Sequence, residues 1–452
     1  MTSWKEENVL TGFIMLSLIC HGMFFLREWL IWGLILLGYT ILRQVKKHKA
    51  AGKAIGAGKV IGAGKAIGAG KVIGHEYKGE HLTLRDFVKR LQFSNPITVI
   101  RKKACKKKIC KLLFNPRAIF ILLIVFSLLG LLCNPVRRMQ GWFEAWRWLV
   151  FFLVYLWGQS LSAFPDLKEK IIDRILLISI IITIISLSPC SEMIWASSGF
   201  LEQGRFALSF GYANAAGVYL GCQLLLLQRK SKFNSVLGLI FLIGLVYSGS
   251  RAAFVLLLIF SLLLKIKKES LNYQGDRAVS SLGFIGFNME EVEKERSRII
   301  IPLAVMLCWT LSFRFDGSWQ HLLNWEIVSW EERLYYYLDS WRIAWNNSFL
   351  PSAGGWLAFP FLQTVSYWTL NPHSSLCSIL INQGLAGLVL LLIWSVRGFL
   401  GYVQELVQGK DMTAICCKST VVYLGLHSLI DVDLSFGTLG ILFWLLVGMY
   451  SK

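Results

Sequence analysis

The chain has 452 residues, of which 55% are hydrophobic and only 16% are charged, whereas soluble domains carry about 25% charged residues. Its 29 phenylalanines and 18 tryptophans lie in repeated apolar runs, which exclude a disordered chain and a small disulfide-stapled one. This composition predicts an integral membrane protein. The net charge of +20 would by itself suggest a nucleic-acid binder, so the position of the charges along the chain decides between the two classes.

The basic residues are concentrated in loops between apolar segments. Residues 43–117 alone hold twenty Lys and Arg, as the positive-inside rule expects of a cytoplasmic loop. The same loop contains four copies of AGK(A/V)IG at 51–74, which predict a flexible linker, with binding of the repeat lysines to anionic lipid head groups as the alternative. The charge therefore indicates membrane topology, and no nucleic-acid partner is expected.

Twelve segments are apolar enough to span a hydrocarbon core of about 30 Å, although several of them are short. They run near residues 8–26, 28–43, 117–133, 142–163, 170–189, 206–228, 232–248, 251–266, 299–313, 374–397, 411–429 and 434–450. The predicted fold is therefore an all-α polytopic membrane protein with about twelve transmembrane helices in the lipid bilayer.

The distribution of basic residues orients these spans. With both termini in the cytoplasm, the basic segments 43–117 and 265–298 fall on the cytoplasmic side, and one large loop is extracytoplasmic. The divisions are two N-terminal helices at 1–43, the basic cytoplasmic loop at 44–116, helices three to nine at 117–313, the extracytoplasmic loop at 314–373 and helices ten to twelve at 374–452. No cleavable signal peptide is expected, because a second apolar run follows the first at once.

The cysteines give no metal-binding pattern. Ten of them are scattered along the chain, and the nearest pairs, Cys105 with Cys110 and Cys416 with Cys417, have neither a CxxC nor a Cys/His zinc spacing. We therefore expect neither a bound metal nor another cofactor.

Polar and ionisable residues gather at the predicted outer ends of the spans. A charge in or beside a spanning segment costs several kcal/mol unless it is paired or faces a polar cavity, so clustering on one face indicates a common site. The candidate site residues are Arg205, Asn214, Ser250, Arg251, Arg333, His373, Ser374, Asp431 and Asp433. Arginine binds phosphate oxygens through two N–H groups and stays charged, and a nearby histidine can take a proton near neutral pH.

Each of these residues also has an ordinary structural explanation. Arg205 and Arg251, at helix ends, can extend to lipid head groups as interfacial anchors. His373 can be a structural hydrogen-bonding residue, and Asp431 and Asp433 can belong to a solvated turn and a helix N-cap. Their separate positions do not decide between these explanations.

A longer motif favours the functional explanation. His373-Ser374 is followed, after nine residues, by Gly384-Leu385-Ala386-Gly387, which resembles the H-[NSQ]-x9-G-x-x-G arrangement of the O-antigen ligase and polymerase family. The other similar stretches, within about residues 117–450, are SGSR at 248–251, RFALSFGYANAAGVYL at 205–220, Glu332-Arg333 upstream of Gly354-Gly355-Trp356, and HSLIDVDLSF at 427–436. Ser374 stands where Asn is commoner. Gly384 and Gly387, one turn apart, also predict the close approach of another spanning helix.

The resemblance implies a membrane glycosyltransferase that transfers a glycan from undecaprenyl pyrophosphate to an acceptor hydroxyl on the outer face, without a metal or a nucleotide sugar. By the same resemblance, His373 would be the base that activates the acceptor, and Arg205 and Arg251 would hold the pyrophosphate. Arg333 is a further candidate for phosphate or sugar contact. Supporting roles are expected of Asn214, Ser250, Ser374, Asp431 and Asp433, with either aspartate able to orient His373.

Several alternatives stay open at this level. The acceptor can be a glycan, a lipid or a protein, so ligase and polymerase activities are not distinguished. A transporter or flippase would use the arginines to bind an anionic cargo without breaking a bond, but no internal repeat of helices is visible. A purely structural membrane protein would not need an outer histidine together with three arginines. Loop aromatics, including Trp319, Trp325, Trp330 and Tyr335 to Tyr337, can stack on sugars or lie in the membrane interface.

Overall fold

The computed structural model describes residues 8–9, 11–15, 17, 28–44, 115–188, 201–202, 205–229, 234–279 and 328–450. The repeats at 51–74 and the predicted span at 299–313 lie outside these residues, and the predicted span at 8–26 lies mostly outside them. Contacts between residues divide the chain into one unit of Met1–Leu37 and Ile119–Lys452 and a second unit, Gly38–Ala118. Every candidate site residue belongs to the first unit.

The described residues are mostly helical, which confirms the all-α part of the prediction. The helices are α1 at 28–44, α2 Pro116–Cys133, α3 Arg138–Leu161, α4 Pro165–Leu187, α5 Ala213–Leu227, α6 Asn234–Ser248, α7 Arg251–Val279, α8 Val328–Asn346, α9 Ser375–Gln408, α10 Met412–His427 and α11 Gly437–Tyr450. Two short strands, β1 Leu201–Glu202 and β2 Arg205–Phe206, pair antiparallel with Glu202 opposite Arg205. Short 3₁₀ helices cover Leu208–Phe210, Gly355–Phe361 and Asp433–Ser435.

Two helices in the described part of the chain, α2 and α9, are long and apolar enough to cross a membrane. Three shorter apolar helices cover Ala213–Leu227, Val236–Ser248 and Gly437–Tyr450. The helix α4 is also long, but its first three turns contain Lys170, Asp173 and Arg174. The structure therefore supports a helical protein with membrane character, and it does not confirm the predicted count of twelve spans.

Several predicted boundaries differ from the observed ones. The span predicted at 374–397 continues as α9 to Gln408. The span predicted at 206–228 becomes helical only at Ala213, because Gly211 adopts a left-handed φ of 66° and ends the preceding 3₁₀ turn. The helix predicted at 251–266 continues to Val279. The loop predicted at 314–373 contains the helix α8, which carries Arg333 and therefore positions one of the candidate site residues.

Among the described helices, the most extensive contact joins α3 and α11. A Cβ atom at Gly158 would collide with the Leu445 carbonyl oxygen, and one at Gly448 would collide with the Tyr155 carbonyl oxygen. The two backbones therefore touch directly, as small residues allow between packed helices. This contact fixes α11 and, with it, the turn between α10 and α11.

Gly384 kinks α9 near its N-terminal end. Its φ of 70° and ψ of −179° lie in a region that glycine alone adopts readily. A Cβ atom there would lie 2.7 Å from the carbonyl oxygen of Phe349, and Leu385 donates its N–H to that same oxygen at 3.1 Å. A close approach at Gly384 was therefore predicted correctly, but it is made by the segment that follows α8 and not by a spanning helix. The kink holds that segment against α9, the helix that begins just after His373.

Candidate functional site

Asp431 lies at the centre of a buried hydrogen-bond network in the turn between α10 and α11. Only 1% of its side chain is exposed. The Tyr212 hydroxyl lies 2.9 and 3.0 Å from the two carboxylate oxygens, the Asn214 amide donates to Oδ2 at 2.9 Å, and the backbone N–H of Val432 donates to Oδ1 at 2.8 Å. Because a buried carboxylate needs such donors, the N-terminal end of α5 and this turn are tied together.

Arg333 joins the helix α8 to the same turn. Its Nη1 donates to the Ile430 carbonyl oxygen at 2.7 Å, and its Nη2 lies 3.3 Å from Asp431 Oδ2. The side chain of Arg333 is 19% exposed, so it lies at the edge of the network. Arg333 is therefore placed to contact a ligand that approaches Asp431 from outside.

His373 lies at the opposite edge of the carboxylate. Its Nδ1 is 3.4 Å from the Tyr212 hydroxyl and 3.7 Å from Asp431 Oδ1, and its ring stacks on Tyr336 with centroids 5.3 Å apart. About a quarter of the side chain, 24%, is exposed. The residue has a left-handed φ of 47°, which is uncommon outside glycine. The backbone of His373 is therefore held in a conformation of higher energy at the residue that carries this imidazole.

The second ring nitrogen of His373 faces a hydroxyl. Nε2 lies 3.1 Å from Thr369 Oγ1, and the same hydroxyl oxygen lies 2.9 Å from the Asn371 carbonyl oxygen. Trp356 donates its indole N–H to the Thr369 carbonyl oxygen at 3.1 Å. The loop before α9 thus fixes a hydroxyl group directly against the imidazole.

Arg205 is connected to Asp431 indirectly, through Asn214. It is only 7% exposed, and it donates from Nε to the Ser248 carbonyl oxygen at 2.9 Å and from Nη2 to Asn214 Oδ1 at 2.8 Å. Asn214 then donates to Asp431. The guanidinium of Arg205 therefore orients the amide that binds the carboxylate.

Ser250 and Arg251 lie just after Ser248, the residue whose carbonyl oxygen binds Arg205. Gly249 turns the backbone with φ of 64°, Ser250 is buried and donates its N–H to Ser248 Oγ at 3.3 Å, and Arg251 begins α7 as a partly exposed residue. Arg251 is thus three residues from the carbonyl group that Arg205 binds, at the same end of the helices as the network.

The remaining candidates have separate structural positions. Ser374 is the N-cap of α9 and accepts the N–H of Cys377 at 3.5 Å. Asp433 pairs with His427, with Oδ2 2.6 Å from Nδ1, and both side chains are buried. Of the two aspartates that the sequence proposed as partners of His373, the structure places Asp431 beside it.

The sequence missed Tyr212, Tyr336 and Thr369 as site residues. Tyr212 was inside a stretch singled out for its similarity, two residues before Asn214, and Tyr336 was noted only as a loop aromatic. No spacing rule connects Thr369 with His373. These residues are found only when the fold brings α5, α8 and the loop before α9 together.

The charges of the network set the protonation of its members. Burial alone would raise the pKa of Asp431, but His373 and the positive charge of Arg333 outweigh it and lower that pKa below its ordinary value. Burial alone would likewise lower the pKa of Arg333, but Asp431 and nearby tyrosines raise it. Burial raises the pKa of Asp433. Asp431 and Arg333 are therefore a lasting ion pair at neutral pH.

Tyr336 stays neutral beneath the imidazole. Burial, together with the carboxylate of Glu332, raises its pKa to about 12, and its hydroxyl donates to Glu332 Oε2 at 3.2 Å. The ring of Tyr336 also packs edge to face on Tyr367 with centroids 4.7 Å apart. The imidazole of His373 thus lies on a fixed aromatic support.

Comparisons with known proteins leave the family unassigned: a scan against protein families gave no match, and searches of curated proteins and of solved structures gave none either. Within the described ranges, no group of three or more His, Cys, Asp and Glu side chains is arranged to hold a metal ion.

Proposed function

We propose that the chain is a bacterial plasma-membrane glycosyltransferase of the O-antigen ligase or polymerase type. It would transfer a glycan from undecaprenyl pyrophosphate to an acceptor hydroxyl on the outer face. The observation that carries the proposal is the convergence of His373, Arg333 and Asp431, from three separate segments, with Nδ1 of the histidine 3.7 Å and Nη2 of the arginine 3.3 Å from the carboxylate. A base, a cation and an orienting carboxylate are the groups that this transfer requires.

The proposal includes the membrane arrangement expected from the sequence. The chain would cross the membrane about twelve times with both termini in the cytoplasm. The segment that contains α8 and the loop before α9 would then be extracytoplasmic. The basic loop at 44–116 would remain inside, as the positive-inside rule requires.

In this mechanism His373 removes the proton of the acceptor hydroxyl. Asp431 lies on the Nδ1 side of the ring and stabilises an imidazolium, so Nε2 is the nitrogen that accepts the proton. The Thr369 hydroxyl lies 3.1 Å from Nε2, in the position that an acceptor hydroxyl needs. The acceptor therefore displaces the Thr369 hydroxyl when it binds.

The arginines stabilise the departing pyrophosphate. Arg333 and Arg251 are partly exposed and contact its oxygens, while buried Arg205 contributes its charge and holds Asn214 against Asp431. A pyrophosphate leaving group gains negative charge as the glycosidic bond breaks, and fixed guanidinium groups stabilise that charge without a metal. The glycan transfers to the acceptor oxygen, and undecaprenyl pyrophosphate is released.

The test is an assay of purified protein with an undecaprenyl-pyrophosphate glycan, in which released undecaprenyl pyrophosphate is measured. We expect release by the wild type and by Asn346→Ala, an exposed control at the end of α8. For His373→Gln we expect a rate at least about 100-fold lower, which is the lower range for loss of a general base.

The products distinguish the alternatives. A ladder of glycans indicates a polymerase, and a single transfer product indicates a ligase. Bound donor that is never cleaved by the wild type would contradict the glycosyltransferase proposal and favour a flippase or transporter. Equal rates for wild type and His373→Gln would contradict the role of His373.

A further inference from the structure

An exposed apolar stripe runs along the helix α8. Leu334, Leu338, Trp341 and Trp345 have exposed fractions of 56%, 46%, 52% and 65%. Their spacing of four, three and four residues places them on one narrow face of a helix with 3.6 residues per turn. Residues on the opposite face are buried, and Tyr336, Asp339 and Ile343 are among them. The helix therefore presents large apolar side chains both to the protein and away from it.

The two tryptophans of the stripe are fixed in place. Phe349, in the turn after α8, packs edge to face on Trp341 at 5.1 Å and on Trp345 at 5.7 Å between ring centroids. The backbone of Phe349 is held in turn by Leu385 of α9. Tryptophans are enriched where a membrane meets water, because the ring is apolar and its N–H is polar.

A second exposed apolar stripe with the same spacing runs along α9. Leu385, Val389, Leu392 and Val396 of α9 are exposed by 41%, 44%, 39% and 58%, and they too are separated by four, three and four residues. The helix α9 packs against α8 and is one of the two helices long and apolar enough to cross a membrane. The outward faces of both helices thus require an apolar environment.

We propose that the α8 stripe is embedded in the outer leaflet of the lipid bilayer. The inference rests on the membrane location in the proposed function, but it concerns lipid contact and not transfer. In this position Arg333, which immediately precedes Leu334, lies at the level of the lipid phosphate groups. A lipid-linked donor can then present its pyrophosphate to Arg333 while its hydrocarbon chain remains in the bilayer.

Quenching by lipid tests the proposal directly. The full chain is reconstituted into phosphatidylcholine vesicles whose acyl chains carry bromine near the head group, and tryptophan fluorescence is compared with that in unbrominated vesicles. Bromine quenches only tryptophans that touch lipid. Replacing two lipid-exposed tryptophans in Trp341→Phe/Trp345→Phe should therefore lower the quenched fraction of the fluorescence.

The matched control is Trp356→Phe, in the same extracytoplasmic segment but only 7% exposed. Its loss removes an unquenched tryptophan, so the quenched fraction should stay equal or rise. A quenched fraction for Trp341→Phe/Trp345→Phe that equals or exceeds that of the control would overturn the proposal. Such a result is also what a protein partner or a second copy covering the stripe would give.

A second measurement does not depend on tryptophan. Leu338→Cys lies on the stripe, and Asn346→Cys is exposed on another face of α8. Each variant is treated in vesicles with a membrane-impermeant maleimide. After digestion, mass spectrometry measures the modified fraction of the peptide that contains the introduced cysteine. We expect modification at residue 338 to be at least about fivefold lower, because the acyl-chain region excludes a charged reagent. Equal modification would overturn the proposal.

The two proposals fail separately. Lipid contact by the stripe without glycan transfer would leave this inference standing and contradict the proposed function. Glycan transfer without lipid contact at Trp341 and Trp345 would do the reverse.

Discussion

The Tyr212 hydroxyl binds the Asp431 carboxylate at 2.9 Å although 219 residues separate the two in the chain. The same hydroxyl lies 3.4 Å from Nδ1 of His373. One phenol group thus contacts both the carboxylate and the imidazole, which places it between the two groups that the proposed chemistry uses.

Asp431→Asn should lower glycan transfer by roughly 100-fold, because the imidazolium of His373 loses the negative charge that stabilises it. Arg333 also loses its ionic partner, so donor affinity should change as well. The turnover number and the donor affinity are measured separately in the release assay. Asp411→Asn, at the N-cap of α10, is the control and should keep full activity. Unchanged turnover in Asp431→Asn would remove the carboxylate from the mechanism.

Tyr212→Phe should destabilise the protein by about 1–3 kcal/mol, the usual cost when a buried acceptor loses one donor. Asp431 keeps its bonds to Asn214 and Val432, so the fold should persist. Thermal unfolding in detergent measures the change. Tyr336→Phe is the matched control, since it keeps the ring that stacks on His373 and loses only the bond to Glu332. Equal midpoints for the two variants would contradict the importance of the Tyr212 hydroxyl.

Thr369→Val should change how the acceptor binds more than how the donor binds. The hydroxyl that faces Nε2 of His373 disappears, and a methyl group takes the place where the acceptor oxygen must lie. We expect the KM for the acceptor to rise several-fold and the KM for the donor to stay within about twofold. Steady-state kinetics with each substrate varied in turn measures both KM values. A change confined to the KM for the donor would contradict the proposal that the acceptor hydroxyl binds beside Nε2 of His373.

The ionic network gives a defined dependence of stability on pH. Because the pKa of Asp431 is lowered in the folded protein, its stabilisation is fully present above its unfolded value of about 3.9 and is lost as pH falls toward the folded pKa. The difference in unfolding midpoint between wild type and Asp431→Asn should therefore shrink as the pH falls below about 4. A difference that stays constant or grows as the pH falls from about 5 to 3 would contradict the sign of this pKa shift.

Gly384→Ala should destabilise the protein by about 1–3 kcal/mol, the usual cost of a side chain held in such a backbone conformation. The added Cβ would also lie 2.7 Å from the Phe349 carbonyl oxygen. Gly398→Ala, farther along α9 and with no atom within 4 Å of its added Cβ, is the control and should be neutral or slightly stabilising. Chemical or thermal unfolding of both variants checks the difference, and equal effects would show that the kink does not need glycine.

The helices and one side of the site were predictable from the sequence. Apolar runs bounded by charged or turn residues placed most helix ends within a few residues, and the stretch around His373 singled out a residue that does lie beside Asp431. Both predictions use local patterns, namely hydrophobicity and motif spacing. They fail where the structure depends on backbone detail, as at Gly211, where a left-handed turn delays the start of α5.

The inner details of the site could not be predicted in this way. Sequence patterns proposed Asp431 and Asp433 equally as partners of His373. Only the fold shows that Asp433 is hydrogen-bonded to His427, whereas Asp431 lies beside His373. The burial of Arg205 is another example, since an arginine before a spanning segment has the same local sequence whether it faces solvent or the interior. Such choices depend on contacts between residues far apart in the chain.

The position of Asp431 also bears on how the protein is made. The chain is synthesised from its N-terminal end, so Tyr212 and Asn214 are present long before the carboxylate that they bind, which is 217 residues beyond Asn214. Until that segment emerges from the ribosome, the amide of Asn214 and the hydroxyl of Tyr212 need other partners. The polar centre of this protein is therefore completed only when α10 and its following turn have been synthesised, and a nascent chain that stops before Asp431 lacks the acceptor for both groups.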